Sequence, residues 1–521
     1  MDSLKNLFHS MKMMLPPFMR SAPVCLVVGL LAAHRGAAQP GSLDPTFNAG
    51  TNIGAIFSVA VQLDGKILIG GAPTAGRDSI TFARLLPDGS ADPGFHTGAG
   101  VDGFVRRIVV QDDGHILIAG GFTRYDGVAS PGVARLNPDG TFDASFTAGT
   151  GANGSVHGLA VQTDGRVIIG GDFLAVDGIA RNQTARLFSD RLVDLSFAGP
   201  ELAFVPGGPQ APGIFDLLLM PDGQVIVAGA FGSIGGVEQS SVARLQADGS
   251  LDTSFVPAFF SSTVYSLARQ RDGRILATGD FWARPSVNLA RLHPDGSLDE
   301  GFNPQLCCAS DDPVGVAVAV QEDGRILYAG TSYPPGTYPP QTGLNRLNAD
   351  GSLDPTFQAG AGFELEGYVQ AIALQADGKV LIGGGFITVN GVPRIGIARL
   401  NNDPAPGFIQ FLSRHFRVLE EFGPATFTVR RTGGSLGAVS VHYEVRAGTA
   451  KPGQDFQPRS GRIVFADGET VKTISVSVGD DALVEGDETI QLLLSHPRGG
   501  AQLADPAEAV LTIGENDREP D

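Results

Sequence analysis

The sequence predicts an all-β protein, a seven-bladed β-propeller followed by an immunoglobulin-like β-sandwich. Three observations carry this reading. One unit recurs seven times, the rhythm changes after residue 403, and 71 Gly and 34 Pro accompany 42% hydrophobic residues in a chain of 521. Many short strands joined by tight turns suit that composition better than helices do.

The first 38 residues read as a secretory signal peptide. Lys5, Lys12 and Arg20 precede an uncharged run from Ala22 to Ala33, and small residues at Gly36 and Ala38 offer a cleavage site before Gln39. The 12-residue run falls short of the ~20 a membrane helix needs, so no membrane span is expected after cleavage. The expected location is therefore secreted or cell-surface. Cys25 would leave with this segment, so the mature chain would hold only Cys307 and Cys308 and no disulfide framework.

Residues 39–403 form the predicted propeller. An apolar strand, an Asp-Gly turn and a second apolar strand recur, as in SVAVQLDGKILIGG and RIVVQDDGHILIAGG. The turn glycines are Gly65, Gly114, Gly165, Gly223, Gly273, Gly324 and Gly378, spaced 49–58 residues apart. Each unit therefore has room for about four strands. Asp-Gly is expected to supply the positive-φ positions of a two-residue hairpin turn, with β-branched neighbours in the inner strands. A second half-motif, Ala-Arg-Leu then Asp-Gly-Ser-Leu-Asp-x-x-Phe, supplies the outer hairpin. Its arginines (Arg84 to Arg399), aspartates (Asp44 to Asp354) and phenylalanines (Phe47 to Phe357) occur once per unit. They read as a structural ion pair and a packing wedge, because catalysis does not need seven copies. The first such strand, Ser42 to Phe47, precedes the first hairpin and is free to complete the last blade, removing exposed edges. The units resemble the delta-60 repeat, a bacterial family predicted to form β-propellers, and the resemblance implies fold without naming a function.

Residues 404–408 read as a linker and 409–521 as the sandwich. Candidate strands are 416–418, 425–430, 439–445, 461–465, 470–478, 489–495 and 509–513. If they alternate in direction, the ends of the first, third, fifth and seventh gather Glu420, Glu421, Asp455, Asp480, Asp481, Glu485, Asp487, Glu488, Glu515 and Asp517 at one pole. The other pole keeps only Asp467, Glu469, Asp505 and Glu508. Massed carboxylates repel one another unless a cation neutralises them, and hard oxygen ligands suit Ca²⁺. His415, His442 and His496 are scattered and are given no metal role.

The motifs Arg-Arg-Thr-Gly-Gly (430–434), Gly-Gln-Asp-Phe (453–456), Asp-Asp-Ala-Leu-Val-Glu-Gly-Asp-Glu (480–488) and Ile-Gly-Glu-Asn-Asp (513–517) resemble the Calx-beta domain. That resemblance implies a calcium site on Glu420, Asp455, Asp480, Asp481, Glu485, Glu488, Glu515 and Asp517. The chain has Asn516 where the family's strongest calcium sensors continue an aspartate triplet.

A net charge of −18 opposes nucleic acid as a partner and favours cations. Gly98-x-Gly100-x-x-Gly103, Gly149-x-Gly151-x-x-Gly154 and Gly433-x-Ser435-x-Gly437 copy dinucleotide and hydrolase motifs, but none opens a predicted helix, so they are read as loops. Trp282 and the Ser332–Gln341 loop are read as packing rather than a binding surface. His96, His115, His157 and His293 lie in different units and show no catalytic gathering. The chain is thus expected to be a non-enzymatic, secreted calcium-binding scaffold, acting in cell-surface adhesion or cell communication through an unidentified extracellular protein or glycan. The alternative is an extracellular carbohydrate-active hydrolase or lyase built on the propeller.

Overall fold

The computed structural model describes residues 39–514 apart from 51–53, 74–79, 147–148, 204–211, 258–259, 284–285, 305–314, 333–340, 358–366, 404, 421–422 and 480–485. The proposed signal peptide, both remaining cysteines and most of the Ser332–Gln341 loop fall outside those residues, as does the side chain of Trp282.

Seven three-stranded antiparallel sheets follow one another along the chain, each with an inner, a middle and an outer strand. In blade 1 these are Ala55–Val61, Ile67–Ala72 and Phe82–Leu85. The expected fourth strand is reduced to a single bridge in every blade, Leu85 to Ala91 in blade 1 and Leu347 to Leu353 in blade 6. Middle strands are buried on both faces, as Ile67, Leu68 and Ile69 show. That burial explains why they read as unbroken apolar runs rather than alternating ones.

The turn chemistry differs from expectation. Gly65 has φ +82°, whereas Asp64 is not in the left-handed region, so this is not a two-residue turn with two positive φ values. Instead Gln62 N–H donates to Lys66 O at 2.8 Å and Gly65 N–H to Gln62 O at 2.9 Å, a three-residue loop with a left-handed glycine. The aspartate accepts the backbone N–H two residues on. That bond recurs at 3.0–3.1 Å in all seven units, from Asp64 to Asp377.

The repeated Arg, Asp and Phe form one clamp per blade. Each Arg Nε donates to its aspartate at 2.6–2.8 Å. Each guanidinium also lies 4.4–5.1 Å from the centre of its phenylalanine ring. In most blades the same arginine reaches the next blade: Arg84 to Pro138 O, Arg244 to Pro294 O, Arg291 to Ala349 O and Arg399 to Pro87 O. The clamp therefore stitches neighbouring blades as well as the outer hairpin, which the sequence did not disclose.

Closure occurs as expected. Leu43 bridges Leu400, Asp44 N–H donates to Arg399 O at 2.8 Å, and Arg399 pairs with Asp44 at 2.8 Å. Phe47 is buried with Ile56 of blade 1 and Leu381 and Ile397 of blade 7, so one core cluster spans the seam.

These carboxylates make the ring acid-sensitive. Burial pushes Asp354 up, but hydrogen bonds from Thr356 and the Arg346 charge outweigh it and hold it at about 2. Asp44, Asp92, Asp143, Asp194, Asp252 and Asp299 are lowered by similar contacts. A carboxylate with a depressed folded-state pKa stabilises fully above its unfolded value, roughly 3.9, and loses that contribution as pH falls through the folded one. The urea midpoint of the propeller should thus stay flat down to about pH 4 and fall steeply toward about pH 2. A midpoint that already drops between roughly pH 7 and 5 would contradict the clamp.

The sandwich packs a four-stranded sheet, containing Phe408–Phe411, Ala425–Thr432, Val471–Val476 and Gln502–Leu503, on a five-stranded one. The second sheet runs His415–Leu419, Glu508–Gly514, Glu488–Arg498, Val439–Ala447, Arg459–Phe465. Alternating residues such as Phe427, Val429, Val441, Ile490 and Leu492 fill the core. Two strands were missed. Phe408, assigned to the linker, opens the strand Phe408–Phe411, and Gln502–Leu503 pairs parallel with it; both are too short to show periodicity.

Arg431 explains the Arg-Arg-Thr-Gly-Gly motif: fully buried, it donates to Pro406 O, Ala466 O and Leu436 O at 2.7–3.2 Å. The sandwich touches the Asp-Gly turn face of the ring. Thr432 Oγ1 donates to Glu322 Oε1 at 3.1 Å, and the Arg271 guanidinium lies 4.6 Å from the Phe408 ring centre.

Candidate functional site

Backbone pairing brings the acidic strand ends to one pole. His415–Leu419 pairs parallel with Glu508–Gly514, Leu419 opposite Gly514, so Glu420 follows one strand end where Glu515 follows the other in sequence. Glu488 pairs with Ile513 on the far side of the same strand. The loop carrying Asp455 joins them, because Gly448 and Ala450 N–H donate to Thr489 O at 3.0 and 3.1 Å. Gly479 N–H donates to Asp455 O at 2.8 Å, which brings the end of the Val471–Val476 strand to the same loop.

Of the eight predicted ligands, Glu420, Asp455 and Glu488 lie among the described residues and share this pole, whereas Asp480, Asp481, Glu485, Glu515 and Asp517 lie outside them. Among the described residues no three His, Cys, Asp or Glu side chains form a metal-holding group. Asp455 is held in place within its loop. It is buried, Lys451 N–H fixes its Oδ2 at 2.5 Å, and its Oδ1 has no donor among the described residues. A carboxylate held by a backbone N–H of its loop is a hard oxygen donor, of the kind Ca²⁺ takes and unlike the His and Cys ligands of zinc. Acids at both poles have partners: at the opposite pole Asp467 accepts Gly437 N–H at 2.6 Å, Glu469 accepts Ala466 N–H at 2.8 Å and Asp505 pairs with Arg414, and at the acidic pole Asp487 pairs with Arg417 at 2.6 Å.

A second cluster escaped the sequence reading. Every inner strand bulges near its start, at Phe57, Arg106, His157, Phe215, Tyr265, Val316 and Gln370. The bulge turns the preceding carbonyl toward the middle strand, so a Cβ on Gly71 would collide with Ala55 O and one on Gly120 with Phe104 O. That is why the middle strands carry glycine opposite the bulge. The seven bulge residues line a cavity of about 250 Å³ together with Arg107, Asp216 and Ser266. The signal was legible: each bulge residue lies eight positions before its turn glycine, a variable column among repeating ones. The cavity neighbours of His157 come from other units, so sequence order separates them from it.

The described architecture defines a repeat-built propeller with an acid-ended sandwich at its C-terminal side. Comparison with known proteins agrees. The Calx-beta domain profile matches residues 402–517. The profile described as a domain of unknown function (DUF5122) beta-propeller matches 62–95, 111–146, 162–197, 221–255, 270–302, 321–357 and 375–403. The chain thus carries DUF5122 β-propeller repeats followed by a Calx-beta domain. The adhesion G-protein coupled receptor V1 of Danio rerio is 37% identical over 116 residues, which is 22% of this chain and 2% of the receptor. The sodium/calcium exchanger Calx of Drosophila melanogaster is 35% identical over 103 residues, 20% of this chain and 11% of the exchanger. The crystal structure of the apo-form Calx CBD1 domain is 34% identical, with a TM-score of 0.21, covering 21% of this chain and 96% of that one. The chain therefore spans only a small part of these curated relatives' length. No helix among the described residues is long and apolar enough to cross a membrane.

Proposed function

We propose that this protein is a secreted, non-enzymatic recognition scaffold whose Calx-beta module binds Ca²⁺ at the acidic pole. The observation that carries the reading is the convergence of Glu420, Asp455 and Glu488 at strand ends of a domain matched by the Calx-beta profile. Asp480, Asp481, Glu485, Glu515 and Asp517 would complete the ligand set from adjoining segments. The expected affinity is of the extracellular type, about 10⁻⁴–10⁻³ M, because Asn516 interrupts the terminal acids. The propeller supplies a rigid platform for adhesion or cell communication. A non-catalytic reading is supported by Asp216, the one carboxylate among the described cavity-lining residues. It already accepts Leu267 N–H at 2.8 Å and pairs with Arg107 at 3.0 Å, so the described lining of this cavity does not hold the carboxylate pair that glycoside hydrolysis uses.

Thermal melting of the full chain tests the calcium reading. At a dissociation constant of ~10⁻⁴ M, about 10 mM calcium adds roughly 2.7 kcal/mol to the sandwich. A domain of this size shifts by about 4–8 °C per kcal/mol, so its transition should rise by on the order of 10 °C over chelator. Asp481→Asn should remove most of the gain, and magnesium should give little. Equal transitions in calcium and chelator would leave the pole a solvated surface.

A further inference from the structure

We infer that the bulge-residue cavity at the propeller's centre binds a carboxylated sugar, a uronate, with Arg106 as its carboxylate anchor. This rests on the reading of the chain as a recognition scaffold, though not on calcium. Inner strands run from the bulges to the Asp-Gly turns, five residues at ~3.3 Å each, and the sandwich sits at the turn end. The cavity therefore opens on the other mouth.

Charge selects an anion. Arg107 is neutralised by Asp216 at 3.0 Å, and His157 Nε2 meets Asp172 Oδ2 at 2.7 Å. Arg106 has no hydrogen-bond partner among the described residues; the Phe57 ring lies 5.3 Å away, and the Asp216 and Asp172 carboxylates act on it from beyond ion-pair distance. A partly buried guanidinium with its planar fork of donors unused is matched by a carboxylate, bidentately.

The walls select a ring with hydroxyls. The His157, Phe215 and Tyr265 rings follow one another at 5.5 and 5.7 Å, an aromatic arc on which the apolar face of a pyranose can lie. His157 Nδ1 and Gln370 Oε1 are buried without a hydrogen-bond partner. Buried polar atoms are costly unless satisfied, and sugar hydroxyls both donate and accept. An aromatic acid would occupy the arc but leave these atoms unsatisfied. The variation of the bulge column also fits a site, because structural positions repeat across all seven units and these do not.

The test is ligand-observed NMR titration of the full chain with D-glucuronate, D-glucose and benzoate. Glucuronate should saturate in the millimolar range, with glucose at least about tenfold weaker for want of the charge–charge contact. Arg106→Gln should weaken glucuronate at least about tenfold, a change of about 1.4 kcal/mol. Tyr265→Ala, which removes one ring of the arc, should weaken glucuronate and glucose alike. Chelator and Asp455→Asn should leave uronate binding unchanged, so failure here is separable from failure of the calcium reading. Tighter capture of a tri-galacturonate than of galacturonate identifies a polyuronate end as the ligand, and equal capture the free sugar; both support the site. Wild-type affinity in Arg106→Gln, benzoate binding more tightly than glucuronate, or no saturation by glucuronate would overturn it.

Discussion

Removing residues 39–48 should make the protein aggregate. These residues bring Leu43, Asp44 and Phe47 into blade 7, where Arg399 and Lys379 pair with Asp44 at 2.8 and 2.9 Å. Their loss exposes the edge of Ile397–Leu400, leaves Arg399 without its carboxylate and leaves Lys379 only Asp377, at 3.7 Å. It also removes a phenylalanine from the core that joins the first blade to the last. Truncating a buried phenylalanine alone costs about 3–5 kcal/mol, and an open apolar edge is a template for intermolecular pairing. Light scattering after size exclusion should show oligomers. The parent's size and melting temperature in the truncated protein would mean that the ring does not depend on this seam.

Arg346→Ala should be among the most damaging single substitutions. Its side chain is fully buried and meets Asp354 at 2.8 Å, Asp403 at 2.9 Å and Thr356 Oγ1 at 3.2 Å, under the Phe357 ring. Removing one partner of a buried pair typically costs 3–5 kcal/mol, because the remaining charge stays desolvated. Asp354 would then lose the charge that helps hold it ionised. Replacing both partners with apolar residues of similar shape, Arg346→Met with Asp354→Leu, should recover a large share of the loss. A denaturation midpoint in Arg346→Ala matching the parent would show that the clamp contributes nothing.

What the sequence disclosed follows from repetition. Seven copies of one unit specify strand order, closure and the Arg–Asp pairing, because each copy meets the same demand. The turn was misread because Asp-Gly serves both a two-residue turn and a three-residue loop, and only the hydrogen bond from Gln62 to Lys66 separates them. The reach of Arg84 to Pro138 was invisible because it joins residues 54 positions apart. The acidic pole was legible because strand direction alone carries Glu420, Asp455 and Glu488 to one end. The cavity shows in the sequence only as one variable column, because its residues come one per blade and meet only when the ring closes.

Equilibrium dialysis of calcium against the full chain measures the central claim most directly. The acidic pole predicts saturable binding with a dissociation constant near ~10⁻⁴–10⁻³ M. Asp455→Asn, which keeps the side chain's size while removing its charge, should weaken that binding severalfold or more. The parent protein should show the same affinity with glucuronate present, because the calcium pole belongs to the sandwich and the cavity to the propeller. Calcium uptake that never saturates, or that Asp455→Asn and Asp481→Asn leave unchanged, would contradict a calcium site at this pole.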